Sequence, residues 1–150
     1  MKLAIGCDEA AFALKEILKK HLEEKGVQVD DFGTYTAEET VLYPDIAVKV
    51  ARSIADGKEE RGILLCGTGL GMAIAANKVP GIRACTCHDS YSAERSRKSN
   101  NAQIITMGAR VIGPELAKNL IDIWLQCEFS GGGSAEKVER IQWYEREFQK

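Results

Sequence analysis

Short apolar runs alternate with longer amphipathic segments along the chain. An apolar run bounded by turn or charged residues is typical of a buried strand, and apolar residues recurring every three or four positions indicate a helix. By these patterns the sequence predicts five strands, at residues 2–7, 27–30, 62–66, 82–87 and 103–107. Helices are predicted to end near Gly26, Gly57 and Lys98, to follow the loop at 67–71, and to begin near Pro114 and Ser134.

Strands that alternate with helices favour a parallel sheet covered on both faces. We therefore predict one α/β domain spanning residues 1–150. Ligands of such folds bind at the carboxyl ends of strands, near the point where strand order reverses. We expect Asp8, Glu9, the loop after Cys66, His88 and the segment after Lys98 to gather at that edge.

The one flexible-looking segment is the glycine-rich stretch 130–134, which precedes the last predicted helix. Such composition usually forms a plain hinge, and Ser134 is expected to cap the helix. Because this helix, residues 135–149, offers Trp143 and further apolar surface, we expect it to pack on a partner subunit. Packing on its own domain is the alternative.

Cys66 ends the central predicted strand, and glycines follow at alternate positions from Gly67 to Gly71. The strand would deliver the thiol to the carboxyl edge, while the glycines let backbone N–H groups turn towards an anion. A thiol in such positive potential should ionise more easily, so Cys66 is the predicted nucleophile or base. The alternative, a cysteine that only packs, suits Cys7, Cys85 and Cys127 better.

Other interpretations of these motifs are weaker. Met72 occupies the position where a dinucleotide fingerprint needs its third glycine, and no GxxxxGK[ST] loop exists. A simple tight turn is the remaining alternative for the loop. Cys85, Cys87 and His88 suggest a metal site, but a structural zinc needs about four ligands and no second cluster is visible. We expect neither a metal nor another cofactor.

Net charge and cysteine usage indicate which partners and which cellular compartment to expect. With 20 Lys+Arg against 22 Asp+Glu, the net charge of −2 leaves no basic excess for binding nucleic acid. Five scattered cysteines do not resemble a disulfide framework and indicate a reducing, cytoplasmic environment. No signal-peptide core and no apolar run of membrane-spanning length is found, so we expect a soluble protein without a membrane partner.

Two polar residues near the fifth strand are candidate ligand-binding groups. Arg110 follows that strand, on the predicted ligand edge, and is the cation best placed for a phosphate. Asn100 precedes the strand and is a candidate for hydrogen bonding to sugar hydroxyls, although paired asparagines more often form turns.

Matching segments spread over nearly the whole chain carry a resemblance to one family. The specific part is the CGTG loop at 66–69, followed by IAANK at 74–78 and GIRA at 81–84. Further segments lie at 5–8, 31–34, 43–44 and 108–113. By these motifs the chain resembles the ribose-5-phosphate isomerase B family and its galactose-6-phosphate isomerase relatives.

The resemblance implies a Rossmann- or flavodoxin-like three-layer sandwich that forms a homodimer or a dimer of dimers, with the site near the subunit interface. It implies metal-free aldose–ketose isomerisation of a phosphorylated sugar, in which Cys66 removes the proton next to the carbonyl. Thr68 would assist at the developing oxyanion, and the glycine-loop amides would stabilise an enediolate. The implied substrate-binding residues are Asp8, Glu9, Gly67, Gly69, Leu70, Gly71, Asn100, Arg110 and Lys137.

The chain departs from the family pattern at four positions. Glu9 stands where a histidine is usual, and Ser99 occupies the position of the histidine that serves as acid in ring opening. Gly133 replaces an arginine that would hold phosphate, and Lys137 replaces another. Losing the acid should weaken the opening of a furanose ring without abolishing isomerisation. Whether His88 or Glu9 substitutes for it is open at this point.

Several functions therefore remain as alternatives. The first is isomerisation of the ribose 5-phosphate type, and the second is the same chemistry on a tetrulose 4-phosphate, another pentose or a hexose 6-phosphate. A four-carbon ketose phosphate needs no ring-opening acid, and residues 99–110 also look like the branch that isomerises tetrulose phosphates. A non-catalytic sugar-phosphate binding protein or regulatory subunit is the alternative of another class, but the intact Cys66 loop argues against it.

Overall fold

Five parallel strands form one sheet. In the computed structural model, which describes residues 1–150, the strands are β1 (Lys2–Cys7), β2 (Gln28–Asp31), β3 (Arg61–Cys66), β4 (Ala84–Thr86) and β5 (Ile104–Gly108). Their spatial order is β2-β1-β3-β5-β4. The register places Ile5 opposite Ile63, and Ile63 opposite Ile105, so that one row of side chains crosses the middle of the sheet.

Helices follow the strands in sequence and cover both faces. They are α1 (Phe12–Glu24), α2 (Tyr43–Ala55), α3 (Leu70–Ala76), α4 (Ser90–Lys98), α5 (Pro114–Gln126) and α6 (Gly133–Phe148), and a 3-10 turn spans Glu9–Ala11. None of these helices combines the length and the apolar character that a membrane span requires.

The sheet separates two apolar cores, because successive strand side chains point to opposite faces. Leu3, Ile5 and Ile63 pack with α1 and α5 on one face, where Trp124 is fully buried. Ala4 and Leu64 pack with α2 and α3 on the other. Strands buried on both faces read as continuous apolar runs, which is why the strand prediction worked. The predicted three-layer α/β sandwich is confirmed.

Two predicted boundaries are wrong. The fourth strand is Ala84–Thr86 instead of 82–87, because the Ile82 N–H turns back to the Val79 carbonyl at 3.2 Å. Helix α6 begins at Gly133 without a side-chain cap. Ser134 does not cap it, since its own N–H already bonds the Gly131 carbonyl within the first turn.

The strand order fixes where a ligand can bind. From β1 the chain moves outward to β2, and it then crosses to the other side of β1 to form β3. Strand order thus reverses between β1 and β3, and a crevice opens at the carboxyl ends of these strands. Asp8 follows β1 and Cys66 ends β3, so both lie at this switch point.

The last helix lies near the opposite, amino-end edge of the sheet. The Ser130 N–H bonds the Lys98 carbonyl at 3.2 Å, and the Gly81 N–H donates to the Glu145 carboxylate at 2.7 Å. Val138 is the one buried residue of α6. Trp143 packs edge-on against Tyr144 with ring centroids 4.9 Å apart, and both rings remain exposed.

Candidate active site

The Cys66 thiol lies at the carboxyl end of β3 under a backbone donor. Its sulfur accepts a hydrogen bond from the Gly69 N–H at 3.0 Å, and only 5% of the residue is exposed. An N–H group aimed at sulfur stabilises negative charge there. The loop therefore aims a fixed backbone donor at the sulfur that the sequence predicted as a nucleophile or base.

Two glycines allow the loop to press against the end of β5. Gly69 has φ of +80°, and a Cβ there would come within 2.7 Å of the Met107 carbonyl carbon. A Cβ on Gly108 would lie 2.6 Å from the Thr68 Cα. The loop is also tied to the chain after β5, since Ala109 and Arg110 donate to the carbonyls of Cys66 and Gly67 at 2.9 and 3.0 Å. Any larger residue at 69 or 108 would separate these two segments.

Two threonine hydroxyls hold the Gly69 carbonyl. The Thr106 Oγ1, fully buried, donates to the Gly69 carbonyl at 2.8 Å. The Thr86 Oγ1 lies 2.7 Å from the Thr106 Oγ1 and 3.3 Å from the same carbonyl. Holding this carbonyl fixes the peptide unit that follows the Gly69 Cα, and it thereby restrains the residue whose N–H meets Cys66. Sequence reasoning missed both threonines, because a polar residue inside an apolar strand was the only signal.

The remaining loop residues leave groups free for a ligand. Thr68 is exposed, and its Oγ1 accepts the Leu70 N–H at 3.2 Å. Leu70 itself is 56% exposed. The N–H of Gly71 lies in the first turn of α3, where a helix offers no backbone acceptor. The stretch from Gly67 to Gly71 therefore presents a hydroxyl and backbone donors beside the thiol.

Asp8 and Arg110 face the loop from the neighbouring strands. Burial raises the pKa of the Asp8 carboxyl, and the nearby Glu9 raises it further, whereas the backbone N–H groups of Ala10 and Ala11 and the Arg110 charge lower it. Its Oδ1 accepts the Ala11 N–H at 3.2 Å. Arg110 is exposed, and a Cβ on Gly67 would lie 3.3 Å from its Nη1. This edge thus combines a carboxyl, a thiol and a free guanidinium.

A long loop between β2 and α2 covers one side of this edge. The buried Lys15 ammonium pairs with Asp31 at 2.8 Å and donates to the Thr34 carbonyl at 2.6 Å. Further along the loop, the Val41 N–H reaches a carboxylate oxygen of Glu9 at 3.4 Å. Glu9 therefore supports this loop, and it is half-buried instead of open to the site.

Tyr43 and His88 contact the loop and the neighbouring end of β5, respectively. Tyr43 lies directly against Gly71, and a Cβ at that glycine would overlap the phenol ring. The His88 Nε2 accepts the Gly108 N–H at 2.9 Å. His88 supports the strand end on which the Cys66 loop rests. The signal that could have found Tyr43 is the Tyr-Pro pair at the start of α2.

The other cysteines differ from Cys66 in their surroundings. Burial raises the pKa of the Cys7 and Cys87 thiols to about 12, and it raises that of Cys85 as well. These thiols stay protonated and pack in the apolar layers. No group of three or more histidine, cysteine or acidic side chains is arranged to hold a metal ion.

Three predicted site residues lie at the opposite edge of the sheet. Ser99 and Asn100 precede β5, and the Arg83 Nε, just before β4, donates to the Asn100 carbonyl at 3.2 Å. Lys137 is exposed on α6, near the same amino-end edge. The expectation that the segment after Lys98 joins the Cys66 loop is therefore wrong within one chain. Residues that precede a parallel strand lie at its amino end, whereas Cys66 lies at a carboxyl end.

The strand order, the switch point and the thiol-bearing loop define a Rossmann- or flavodoxin-like α/β protein with its candidate site at the carboxyl edge. The model of the Ribose/Galactose Isomerase family matches residues 3–141. The chain belongs to this family.

Individual relatives agree with this assignment. The chain is 58% identical over 147 residues to the D-erythrulose-4-phosphate isomerase of Pectobacterium atrosepticum, covering 98% of this chain and 97% of that protein. It is 57% identical over 142 residues to ribose-5-P isomerase B of Listeria innocua, covering 95% of each. The solved structure of Clostridium thermocellum ribose-5-phosphate isomerase B matches with a TM-score of 0.96 at 47% identity over 99% of both chains. The family prediction is confirmed, and the roles of individual residues stay predictions.

Proposed function

We propose that this protein is an aldose–ketose isomerase of phosphorylated sugars and that Cys66 is its base. The observation that carries the proposal is the Gly69 N–H, 3.0 Å from the Cys66 sulfur at the switch point of the sheet. A thiol that meets a fixed donor, beside a free hydroxyl and free backbone amides, suits proton abstraction next to a carbonyl.

The proposed reaction moves one proton between neighbouring carbons. The Cys66 thiolate takes the proton from the hydroxyl-bearing carbon next to the carbonyl, and the electron pair of that C–H bond forms the double bond of an enediolate. Cys66 then returns the proton to the former carbonyl carbon, while the hydroxyl proton passes between the two oxygens. One carbon is oxidised as its neighbour is reduced, so the atoms and electrons balance without an added oxidant or reductant.

The surrounding groups take roles that follow from their chemistry. Backbone N–H groups of the loop and the Thr68 hydroxyl face the developing oxyanion, and one such donor contributes about 10²–10³-fold in rate in comparable sites. Asp8, whose pKa is raised by burial, holds sugar hydroxyls. Arg110 is exposed at the same edge and attracts the phosphorylated substrate.

A second copy of the chain completes the proposed site. Ser99, Asn100 and Lys137 lie on the edge away from Cys66, so they can serve a site only if a partner presents them. The exposed aromatic residues of α6 supply apolar surface for such an interface. We therefore propose a homodimer or a dimer of dimers in which residues 135–149 pack on the partner.

Two substrates have support. Relatives of similar identity are a D-erythrulose-4-phosphate isomerase and a ribose-5-P isomerase B. Ser99 favours the four-carbon sugar, because its hydroxyl is a poor acid for ring opening and a tetrulose 4-phosphate forms no furanose ring that leaves the phosphate free. Ribose 5-phosphate is the alternative substrate, and its furanose ring must first open.

The test is turnover of both phosphosugars by the intact protein and by Cys66→Ala. Uptake of deuterium from solvent water into the C–H position would be followed by NMR together with product formation. We expect Cys66→Ala to lose about 10²–10⁴-fold in rate, the usual contribution of a general base. Cys127→Ala is the matched control, since Cys127 is buried at the end of α5, away from the carboxyl edge.

Each outcome decides between the alternatives. A Cys66→Ala protein that keeps its rate within twofold of Cys127→Ala refutes Cys66 as the base. An intact protein that binds phosphosugars but isomerises none of them is a binding protein of the non-catalytic class. Equal turnover of the two sugars removes the preference assigned to Ser99.

A further inference from the structure

An open cavity of about 240 Å³ lies between β4 and α4. Among its lining residues are Cys85, Tyr91, Ser92, Arg95 and Asn100, and no carboxylate is among them. Hydroxyl and amide groups can adapt to a donor or an acceptor, whereas a guanidinium only donates. One cation without a carboxylate in the lining of this cavity favours an anionic ligand.

Arg95 is the charged group of this cavity, and its end is free. It is half-buried, and its one side-chain hydrogen bond runs from Nε to the Ser99 Oγ at 2.8 Å. The acid beside it in sequence, Glu94, pairs with Lys98 at 3.4 Å instead. The Nη1 and Nη2 atoms of Arg95 therefore keep their hydrogens for another partner, while Ser99 holds the plane of the guanidinium.

The neighbouring arginines have structural roles, because they donate hydrogen bonds to backbone carbonyls. Arg61 donates to the carbonyls of Trp124 and Cys127 at 2.8 and 2.9 Å, and Arg97 donates to the Ala102 carbonyl at 2.8 Å. Arg83 donates to backbone carbonyls in the same way. Arg95 binds no backbone carbonyl, so its guanidinium does not serve to hold the fold together.

We infer that Arg95 and Asn100 form a phosphate subsite, which takes the phosphoryl group of a sugar bound at Cys66 of a partner copy. The inference rests on the proposed function and names how that site holds its anion. A guanidinium with both terminal nitrogens free matches two phosphate oxygens in parallel, and the Asn100 amide supplies a further donor. Ser99 is a positioning residue that fixes Arg95 through its Nε.

This subsite accounts for the missing cation at residue 133. Gly133 has no side chain, and Lys137 offers a flexible point charge without a planar fork. Arg95 supplies that fork on the same amino-end edge, four residues from Ser99 along α4. Ser99, at the position of the expected acid, thereby contributes to anion binding instead of proton transfer.

The first experiment measures KM for the phosphosugar that the protein isomerises and Ki for inorganic phosphate as a competitive inhibitor. We expect Arg95→Gln to raise both by about 10- to 100-fold, the worth of a charge-assisted hydrogen bond, with kcat little changed. Ser99→Ala should raise both by a smaller factor, because the guanidinium loses its anchor but keeps its charge. The control is Arg52→Gln, which makes the same charge change at an exposed position on α2.

The opposite results overturn the inference. If Arg95→Gln stays within twofold of Arg52→Gln in both KM and Ki, Arg95 holds no phosphate. If Arg95→Gln does not fold, which thermal unfolding would reveal, Arg95→Lys takes its place. That variant keeps the charge but loses the fork, so an unchanged Ki for phosphate in Arg95→Lys also overturns the assignment.

A mixed-dimer experiment tests whether Arg95 acts on the partner. Cys66→Ala and Arg95→Gln are coexpressed and assayed at substrate well below KM. A mixed dimer holds one site with both defects and one intact site, so random pairing should restore about a quarter of the wild-type rate. No gain over the two parents would show that Arg95 does not serve the partner's Cys66. A wild-type protein that isomerises no phosphosugar refutes the proposed function itself, which the Arg95 variants cannot do.

Discussion

Replacing Thr106 by valine should remove the hydrogen bond that holds the Gly69 carbonyl while it keeps the packing of this side chain within β5. Valine has nearly the same shape as threonine but no hydroxyl, so the 2.8 Å bond to the Gly69 carbonyl and the 2.7 Å contact with Thr86 are both lost. The carbonyl keeps two partners, the Ala73 N–H at 3.2 Å and the Thr86 Oγ1 at 3.3 Å. We expect the Gly69 N–H to lose its fixed aim at Cys66.

The size of the effect follows from these contacts. A net hydrogen bond contributes about 0.5–1.5 kcal/mol, and the Thr86 hydroxyl keeps only its longer contact with the Gly69 carbonyl at 3.3 Å, so a loss of about 1–2 kcal/mol in unfolding free energy is expected. In a chain of this size that lowers Tm by roughly 2–8 °C. The effect on kcat should be about tenfold, less than the 10²–10³-fold that removal of an entire donor costs.

The assay compares kcat, KM and Tm of Thr106→Val with those of Thr106→Ser, which restores the hydroxyl without the methyl group. We expect kcat to fall in the valine variant at constant KM and to recover in the serine variant. If the valine variant loses stability but keeps its kcat, the hydroxyl pair holds the strand and does not aim the Gly69 amide. That result would refute the reasoning.

Two further variants test other parts of the molecule. Burial raises the pKa of the Glu59 carboxyl above its usual 4.5, and the nearby Asp30 raises it further. The stability that the protonated carboxyl contributes is therefore fully present below pH 4.5 and is lost as the pH rises through the raised pKa. In urea unfolding at a series of pH values, Glu59→Gln should therefore become more stable relative to the wild type as the pH rises through that range. Parallel curves of unfolding free energy against pH for the two proteins would contradict this. Gly71→Ala should lower Tm although alanine favours a helix by about 1 kcal/mol, because overlap with Tyr43 costs about 1–3 kcal/mol. In a Tyr43→Ala background the overlap is absent, so Gly71→Ala should there raise stability through the helix preference of alanine. A double variant no more stable than Tyr43→Ala alone would count against the overlap.

Local pattern was enough for much of the fold. Apolar runs marked the buried strands, and the glycines after Cys66 marked the loop on which the candidate site rests, because buried strands and tight loops leave signals within a few residues. Strand order leaves no such signal. The sequence alone therefore could not show that β5 lies between β3 and β4.

The placement of Ser99 was a different kind of error. This residue lies just before a strand that had been predicted correctly, so its position at the amino edge follows from topology once the strands are parallel. The expectation that the segment after Lys98 lies at the ligand edge did not take into account that this segment precedes β5 instead of following it. The role of Arg95 had no sequence signal, since it depends on which neighbours leave its nitrogens free.

Asn77 limits how copies of this chain can meet. The N–H and carbonyl of Ala84 point away from β5, and the Asn77 side-chain amide accepts from one at 2.7 Å and donates to the other at 2.9 Å. A side chain thus occupies the place of a sixth strand at the start of the open edge. Extension of the sheet from one molecule to the next is blocked there, which protects a short edge strand against aggregation. Copies that associate near β4 must therefore recognise each other through side chains rather than through a shared backbone ladder.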